Sequence, residues 1–488
     1  MKPHGFRKNL ENGLHWTAVN SDYVCALFVV PTPTVDDSGV AHLCEHLVFR
    51  TSAAFPEAHN LFALTTLTAC KINATSRNNE SLFYATAPDS ETLAKLIHYL
   101  YAGLQNLEYG DMTIAQERDG VIFQELTFLE AQPEYQNMIR MWRDDSRLHK
   151  YYHWGGYTDT IVHLSLKDVQ SYKRQYYRPE LIHLYTSGIS EDLLVQSLQE
   201  IRSIDTLDPA QAITSTRTTF TPPLDSYYPK LYNFERSHVQ LLSWWLPVEL
   251  HRFCLDNLAR WRKQFPELWI EEHLIQNQKF AIRTTRTDWE YLGQTLSNTI
   301  QDEWSMSVMT EQVDDKYPLA IQLLLTEKFE QEAQQLSLSR TLAPHKVLTK
   351  QPSQSSLGNL PRFETPILPS TEAALSTASI LKDWPYPLSI EHAVTPMHII
   401  NLLQDACLHS SESLLQAPYI QAQDWVMQID KPAELIYPKL LESEFWRPRT
   451  DGDCYAMGIF SQDDKIYVWA VSDKRAEQRN HWLSSVFN

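Results

Sequence analysis

Along the first two hundred residues, short unbroken apolar runs alternate with stretches whose apolar positions recur every three or four residues. Tyr23 to Pro31 (YVCALFVVP) is the clearest of the runs, β-branched and apolar, which predicts a mostly buried strand. Asp36, Asp37 and Ser38 follow and offer N-cap side chains to a helix from about Gly39 to Arg50. Leu82 to Ala87 reads as a second strand, Glu91 to Leu107 as an amphipathic helix, and Asp111 to Ala131 as another long one. Leu181 to Ser187 predicts a strand and Glu191 to Ile201 the helix after it. Together they predict an α+β fold of two-layer domains, with antiparallel-rich mixed sheets packed against helices.

The pattern breaks twice. Thr206 to Pro223 is rich in Thr, Pro and Ser with few apolar anchors, and we expect a linker over 206–235 after a first domain at 1–205. A strand is expected at Val239 to Leu246, within a mainly helical region at 236–343. Pro344, Pro352, Pro361, Pro366 and Pro369 then mark a Pro/Ser-rich tether at 344–377. Residues 378–488 return to mixed α/β, with a strand at Lys465 to Val471.

Composition narrows the class. At 488 residues the chain is too long for one core. Its 42 Lys and Arg against 60 Asp and Glu give a net charge of -18, which repels phosphate backbones and anionic lipid, so neither nucleic acid nor membrane is expected as a partner. The six cysteines form no CxxC pair or regular framework, which fits a reduced, cytoplasmic setting. An apolar leader and long apolar spans are both lacking in the sequence, so secretion and membrane spanning are not expected.

The sharpest chemical signal is His42-Leu43-Cys44-Glu45-His46, inside the helix expected after Asp37. Residues four apart share a helix face, so His42 and His46 can present two imidazoles to one metal ion with Glu45 beside them, the HxxEH zinc pattern. Zinc lowers the pKa of a water toward neutrality, and a carboxylate within reach can take its proton. Alone the motif is moderately specific, the bland reading being a solvated helix face over a Leu43, Leu47, Val48 and Phe49 core side. Cys44 points away from the histidine face and is expected to be a small buried side chain. A zinc site needs a third ligand, and Glu125, placed among the apolar neighbours of Gly120 to Leu126 on a helix expected to be packed, is a carboxylate that needs a partner.

With these residues in order, the chain resembles the insulinase/pitrilysin family of zinc metallopeptidases. Ser38-Gly39-Val40-Ala41 resembles that family's lead-in to the motif, and Phe49 with Phe55-Pro56 its continuation. Asn73-Ala74-Thr75-Ser76, followed by Glu80, Ser81 and Tyr84, is similar to the edge strand against which the family lays a substrate peptide. Gly120 to Leu126 resembles the third-ligand segment of the presequence-protease branch, and Tyr177-Arg178-Pro179 with Leu184 to Gly188 the closing segment of the domain. The resemblance covers about residues 8–205. Further on, Phe234 to Gln240 resembles the opening strand of a second family domain, and Trp446 to Tyr455 the R-x5-Y segment of the same branch.

The resemblance implies an insulinase-like fold with Zn2+ held by His42, His46 and Glu125, and Glu45 as general base. It implies substrate main chain bound by Asn73 and Ala74, Arg449 holding substrate backbone, and Tyr455 hydrogen-bonding the scissile carbonyl as it becomes tetrahedral. The family also has an acidic residue supporting the ligands, for which Glu117 is the candidate. It lies eight residues before Glu125 where many relatives have seven, and eight residues turn a regular helix about 80° past a full revolution. A solvated helix face is therefore the competing reading of Glu117. The activity implied is a zinc endopeptidase cleaving peptides or unfolded segments, with maturation of a precursor peptide as one role. Full-size relatives enclose substrate in a clamshell of two halves, and this chain is about one half, so a homodimer or a heterodimer with a related chain is expected. The rivals are a catalytically inactive family member acting as a peptide-binding or scaffold subunit, and a metal-binding helix in an unrelated α+β protein.

Overall fold

This computed structural model describes residues 6–131, 153–204, 242–304, 317–328, 384–408 and 423–487, less a few short internal stretches. The expected linker at 206–235, the tether at 344–377 and the Phe234 to Gln240 segment lie outside the described residues.

The N-terminal region is a two-layer α+β unit. Its strands β1 (Phe6–Asn9), β2 (His15–Ala18), β3 (Cys25–Pro31), β4 (Lys71–Ser76), β5 (Glu80–Thr86) and β6 (His183–Ser187) form one sheet in the order β1-β2-β6-β3-β5-β4. Only β2 and β6 pair in parallel; the other four pairings are antiparallel. The unbroken apolar run of β3 is explained by its two covered faces. Ala26, Phe28 and Val30 point into the core beneath the helices, while Cys25 and Leu27 point into a second cluster with Tyr317, Ile321 and Leu324. Residues 319–325, helical and remote in sequence, therefore cover the outer face of the sheet, and Lys328 pins that segment to Glu80 at 3.0 Å.

On the inner face lie α1 (Val40–Val48), α2 (His59–Leu67), α3 (Ser90–Gln105), α4 (Asp111–Ala115), a π-helix at Gln116–Ile122, α5 (Phe123–Glu130), α6 (Thr158–Ile161), α7 (Leu166–Tyr176) and α8 (Glu191–Leu198). Asp89 caps α3 through the Thr92 N–H at 2.8 Å, and Ser165 with Asp168 forms a capping box on α7. The start of α1 meets expectation in part. Gly39 at φ 75° occupies the cap position, and Ser38 Oγ beside it accepts from the Val40 N–H at 3.3 Å, while Asp36 accepts from the Ser38 N–H and Asp37 from the His153 N–H. A Cβ at Gly39 would stand 2.6 Å from the Gly155 carbonyl, so glycine here lets the 153–156 loop close over the start of α1.

Strands β7 (Leu242–Pro247), β8 (Leu268–Ile270) and β9 (Lys279–Thr284) form a separate antiparallel sheet in the order β7-β9-β8, with α9 (His251–Gln264) and α10 (Trp289–Trp304). The region expected to be mainly helical thus also holds a small sheet. Its strands are three to six residues long, too short for a period of two to stand out between helices.

The C-terminal region comprises α11 (Met397–Leu408), β10 (Gln423–Ile429), α12 (Ala433–Leu440), α13 (Ser443–Thr450), β11 (Ala456–Gln462), β12 (Lys465–Asp473) and α14 (Arg479–Phe487). Its antiparallel sheet runs β10-β12-β11. One face packs with Ile436, Phe445, Trp446 and Trp482 from α12, α13 and α14, and the other with Ile399 of α11. Leu67 of α2 belongs to this cluster, and Phe62 of α2 lies 5.5 Å from the Trp446 ring, so α13 seats on the N-terminal region. No helix among the described residues is long and apolar enough to cross a membrane.

Candidate metal centre

His42 and His46 lie one turn apart on α1 with ring centroids 4.8 Å apart, and α5 delivers Glu125 to both. Glu125 Oε2 stands 3.4 Å from His42 Nε2 and 3.3 Å from His46 Nε2. These residues form the one group of three or more His, Cys, Asp or Glu among those described that could hold a metal ion, with ligand atoms within 4.8 Å of one another.

The hydrogen bonds around the trio say what fits between them. His42 Nδ1 lies 3.1 Å from the Gly155 carbonyl and His46 Nδ1 2.9 Å from Glu117 Oε2. Carbonyl and carboxylate oxygens only accept, so each Nδ1 carries a proton, and each neutral ring turns an Nε2 lone pair toward Glu125. Glu125 Oε2 is itself buried without a hydrogen-bond partner. Three converging acceptors with nothing to share call for positive charge, and an imidazole pair with a carboxylate is a donor set for zinc. Burial opposes the charging of His46, yet the neighbouring carboxylates of Glu117 and Glu125 outweigh it and push the ring up to about 10. Burial likewise opposes ionisation of Glu125, but the charge of His42 and the nearness of both rings hold its carboxyl well below the usual range.

Glu117 is not on a solvated face. It is 1% exposed, on the π-helix, and its Oε2 reaches His46. A π-turn takes up one extra residue, so eight residues complete two turns where a regular helix needs about seven. The 80° offset expected for a regular helix is thereby removed. The second oxygen, Oε1, lies 3.2 Å from Arg50 Nε and 3.4 Å from Arg449 Nη1. Burial would raise the Glu117 pKa, but Arg449 and then Arg50 hold the carboxyl far below the usual range.

Glu45 is half-buried beside the trio and has no hydrogen bond or ion pair among the described residues, while its charge acts on both His42 and Tyr455. Tyr455 precedes β11, anchored by its N–H on the Val471 carbonyl at 3.0 Å. The Glu125 charge first, then burial, raise its phenol well above the ordinary value, so it keeps its proton to donate. Arg449 is packed over the Phe62 ring at 5.4 Å, its guanidinium directed to Glu117. Asn73 and Ala74 lie on β4, the edge strand of the large sheet, which contacts α1. The Ala74 N–H donates to Asn73 Oδ1 at 2.9 Å. Cys44 is fully buried, and burial pushes its thiol up to about 12, which makes it an inert packing residue. His153 is buried against Trp154 and Tyr157 and belongs to the loop that supports His42.

Sequence reasoning missed Arg50, which ties three segments together. Its Nη2 donates to Gln116 Oε1 and to the Thr450 carbonyl, both at 2.7 Å. It missed the Gly120–Gly452 contact as well, where a Cβ on either residue would meet backbone at 2.7 Å or less. Also missed was the cluster behind Tyr455, in which Arg479 binds Asp473 at 2.6 Å and Asp453 at 3.1 Å. A buried-type Arg two residues past Val48 and paired Gly signals were the only hints in the sequence, and neither names a partner.

No curated protein matches the chain in sequence. Among solved structures, similar folds include a protease from Helicobacter pylori, at 14% identity and TM-score 0.45, covering 69% of this chain and 86% of that one. A putative M16-like peptidase from Alicyclobacillus acidocaldarius follows at 13% identity and TM-score 0.42, covering 70% and 85%. The first half of the periplasmic protease PqqL from Escherichia coli has 13% identity and TM-score 0.40, covering 58% and 68%. Residues 33–147, the segment that carries His42, Glu45, His46, Glu117 and Glu125, match the family described as Insulinase (Peptidase family M16).

Proposed function

We propose that this protein is a zinc-dependent endopeptidase acting on peptides or unfolded segments. The observation that carries the reading is the convergence of two imidazole Nε2 atoms and an unpartnered buried carboxylate oxygen, with a free carboxylate, Glu45, alongside. His42, His46 and Glu125 would hold the ion, which supplies Lewis acidity, polarising a carbonyl and lowering the pKa of a water toward neutrality. Glu45 takes the proton from that water and returns it to the leaving amine. Tyr455, protonated, donates a hydrogen bond to the substrate carbonyl oxygen as negative charge develops there. Substrate main chain adds to the edge of β4 at Asn73 and Ala74, a mode that gives affinity without strong sequence preference. The Ala74 N–H then exchanges Asn73 Oδ1 for a substrate carbonyl.

The R-x5-Y spacing of Arg449 and Tyr455 favours the presequence-protease branch. A precursor peptide is the substrate we favour, in a cytoplasmic setting. Because one chain supplies both the metal ligands and Tyr455, a second chain, identical or related, would enclose the substrate without completing the site. We also assign 1–205 as the peptidase domain and 378–488 as the region that presents Tyr455.

The test is zinc content of the purified protein together with peptide cleavage by wild type and Glu45→Gln. We expect one zinc per chain in both proteins, and a loss of cleavage of roughly 10³–10⁴-fold in the variant. Zinc binding with no Glu45-dependent cleavage would leave a peptide-binding scaffold subunit as the reading.

A further inference from the structure

Arg449 resembles a substrate-holding arginine in sequence, yet its surroundings give it a different task. Its guanidinium side is 15% exposed and directed to Glu117 Oε1, 332 residues away in the chain. Arg50 reaches the same oxygen from the end of α1 and also donates to the Thr450 carbonyl, next to Arg449. Glu117 thus divides its two oxygens. Oε1 takes both guanidiniums, and Oε2 is left to accept from His46 Nδ1. The segment bearing Arg449 is seated by backbone contact: Gly452, at φ 76°, leaves no room for a Cβ against the Gln116 carbonyl at 2.4 Å and packs on Gly120 of the π-helix. Trp446 closes the other side against Phe62.

We propose that Arg449, with Arg50, is a positioning residue: the two guanidiniums clamp Glu117 so that its free oxygen fixes the ring plane and tautomer of His46. A lone buried carboxylate would be driven to relax or to neutralise, and an imidazole whose Nδ1 partner wanders holds a metal less well. Two fixed cations on one oxygen keep the other oxygen aimed at His46 Nδ1. The C-terminal region therefore acts on the metal centre through the ligand's support as well as through Tyr455. This inference rests on the zinc reading above, and it assigns Arg449 to metal affinity where the resemblance assigns it to substrate.

The experiment uses the full purified chain and measures zinc affinity by chelator competition, the absorption spectrum of the cobalt-substituted protein, and KM and kcat on a peptide substrate. Arg449→Ala is expected to weaken zinc binding by roughly 10–100-fold and to shift the cobalt bands, with KM unchanged at saturating metal. In a Glu117→Gln background the same substitution is expected to add little, because the clamped carboxylate is already gone. If Arg449→Ala does not fold, Arg449→Lys, which keeps the charge and loses the fork, carries the same comparison. Unchanged zinc affinity with a raised KM would overturn the clamp and return Arg449 to substrate binding, leaving the zinc peptidase reading intact. Absence of zinc from the wild-type protein would overturn both.

Discussion

The N-terminal region places three candidate ligands on two helices that rest on a six-stranded sheet, and the spacing of the two histidines is a local property of one helix. The C-terminal region contributes Arg449 and Tyr455 from a helix end and a strand start, and nothing local makes either useful. The first gains precision from helix geometry, with His42 and His46 one turn apart whatever lies around them. The second depends on a chain of buried contacts: Arg479 holding Asp453 and Asp473, the Pro448 carbonyl accepting from the Asp453 and Cys454 N–H groups, and Gly452 pressed on the π-helix.

Substitutions can separate the two contributions. The largest effect is expected for His46→Ala, which removes a candidate ligand and the ring that Glu117 Oε2 holds: zinc content should fall to background, and cleavage with it, while thermal unfolding still shows a folded chain. Arg479→Leu comes next. It leaves Asp473 and Asp453 buried with Arg479's charge missing, and we expect a destabilisation of about 3–5 kcal/mol in denaturant unfolding. Since all three ligands lie in the N-terminal region, zinc should remain bound at temperatures where Tyr455 no longer contributes; simultaneous loss of both would show that the regions unfold as one unit. Tyr455→Phe keeps the packing and removes the donor, and kcat is expected to drop by roughly 10²-fold with zinc affinity unchanged.

The smallest effect concerns pH and belongs to the N-terminal sheet alone. Burial first, then the positive charges of His15, Arg7 and Lys328, lower His183 to about 4. A ring whose folded pKa lies below its unfolded value stabilises the fold above pH 6.5 and loses that contribution as pH falls toward 4. His183→Gln, which can still bond Thr17, should flatten that acid-side loss by about 1–2 kcal/mol between those limits. Urea unfolding at a series of pH values reads it directly, and an unchanged profile would place the acid lability elsewhere.

Much of the candidate centre was legible because metal chemistry restricts residue types and helices restrict spacing. His42, Glu45 and His46 stand within five residues, and Glu125 was conspicuous as a carboxylate in an apolar helix. The strands β3, β5 and β6 were legible from apolar runs, although not the reason for the unbroken run in β3, which is a helix some 290 residues later covering its outer face. Of the three side chains expected to cap α1, Ser38 accepts from the Val40 N–H, while Asp36 and Asp37 are engaged by the Ser38 and His153 N–H groups.

What the sequence determined by itself was the two-layer α+β class and the placing of His42 and His46 on one helix face, since both follow from periodicities of two and about four residues that neighbouring side chains must obey. What only the tertiary structure decided was the surroundings of those histidines. The π-turn that brings Glu117 to His46, 71 residues away, and the choice of Glu117 by Arg449 and the glycine contact that seats the C-terminal region, both across some 330 residues, arise from packing between distant segments. Such pairings leave no periodic trace, because a buried ion pair or a close backbone approach is a property of two surfaces and is written in neither alone.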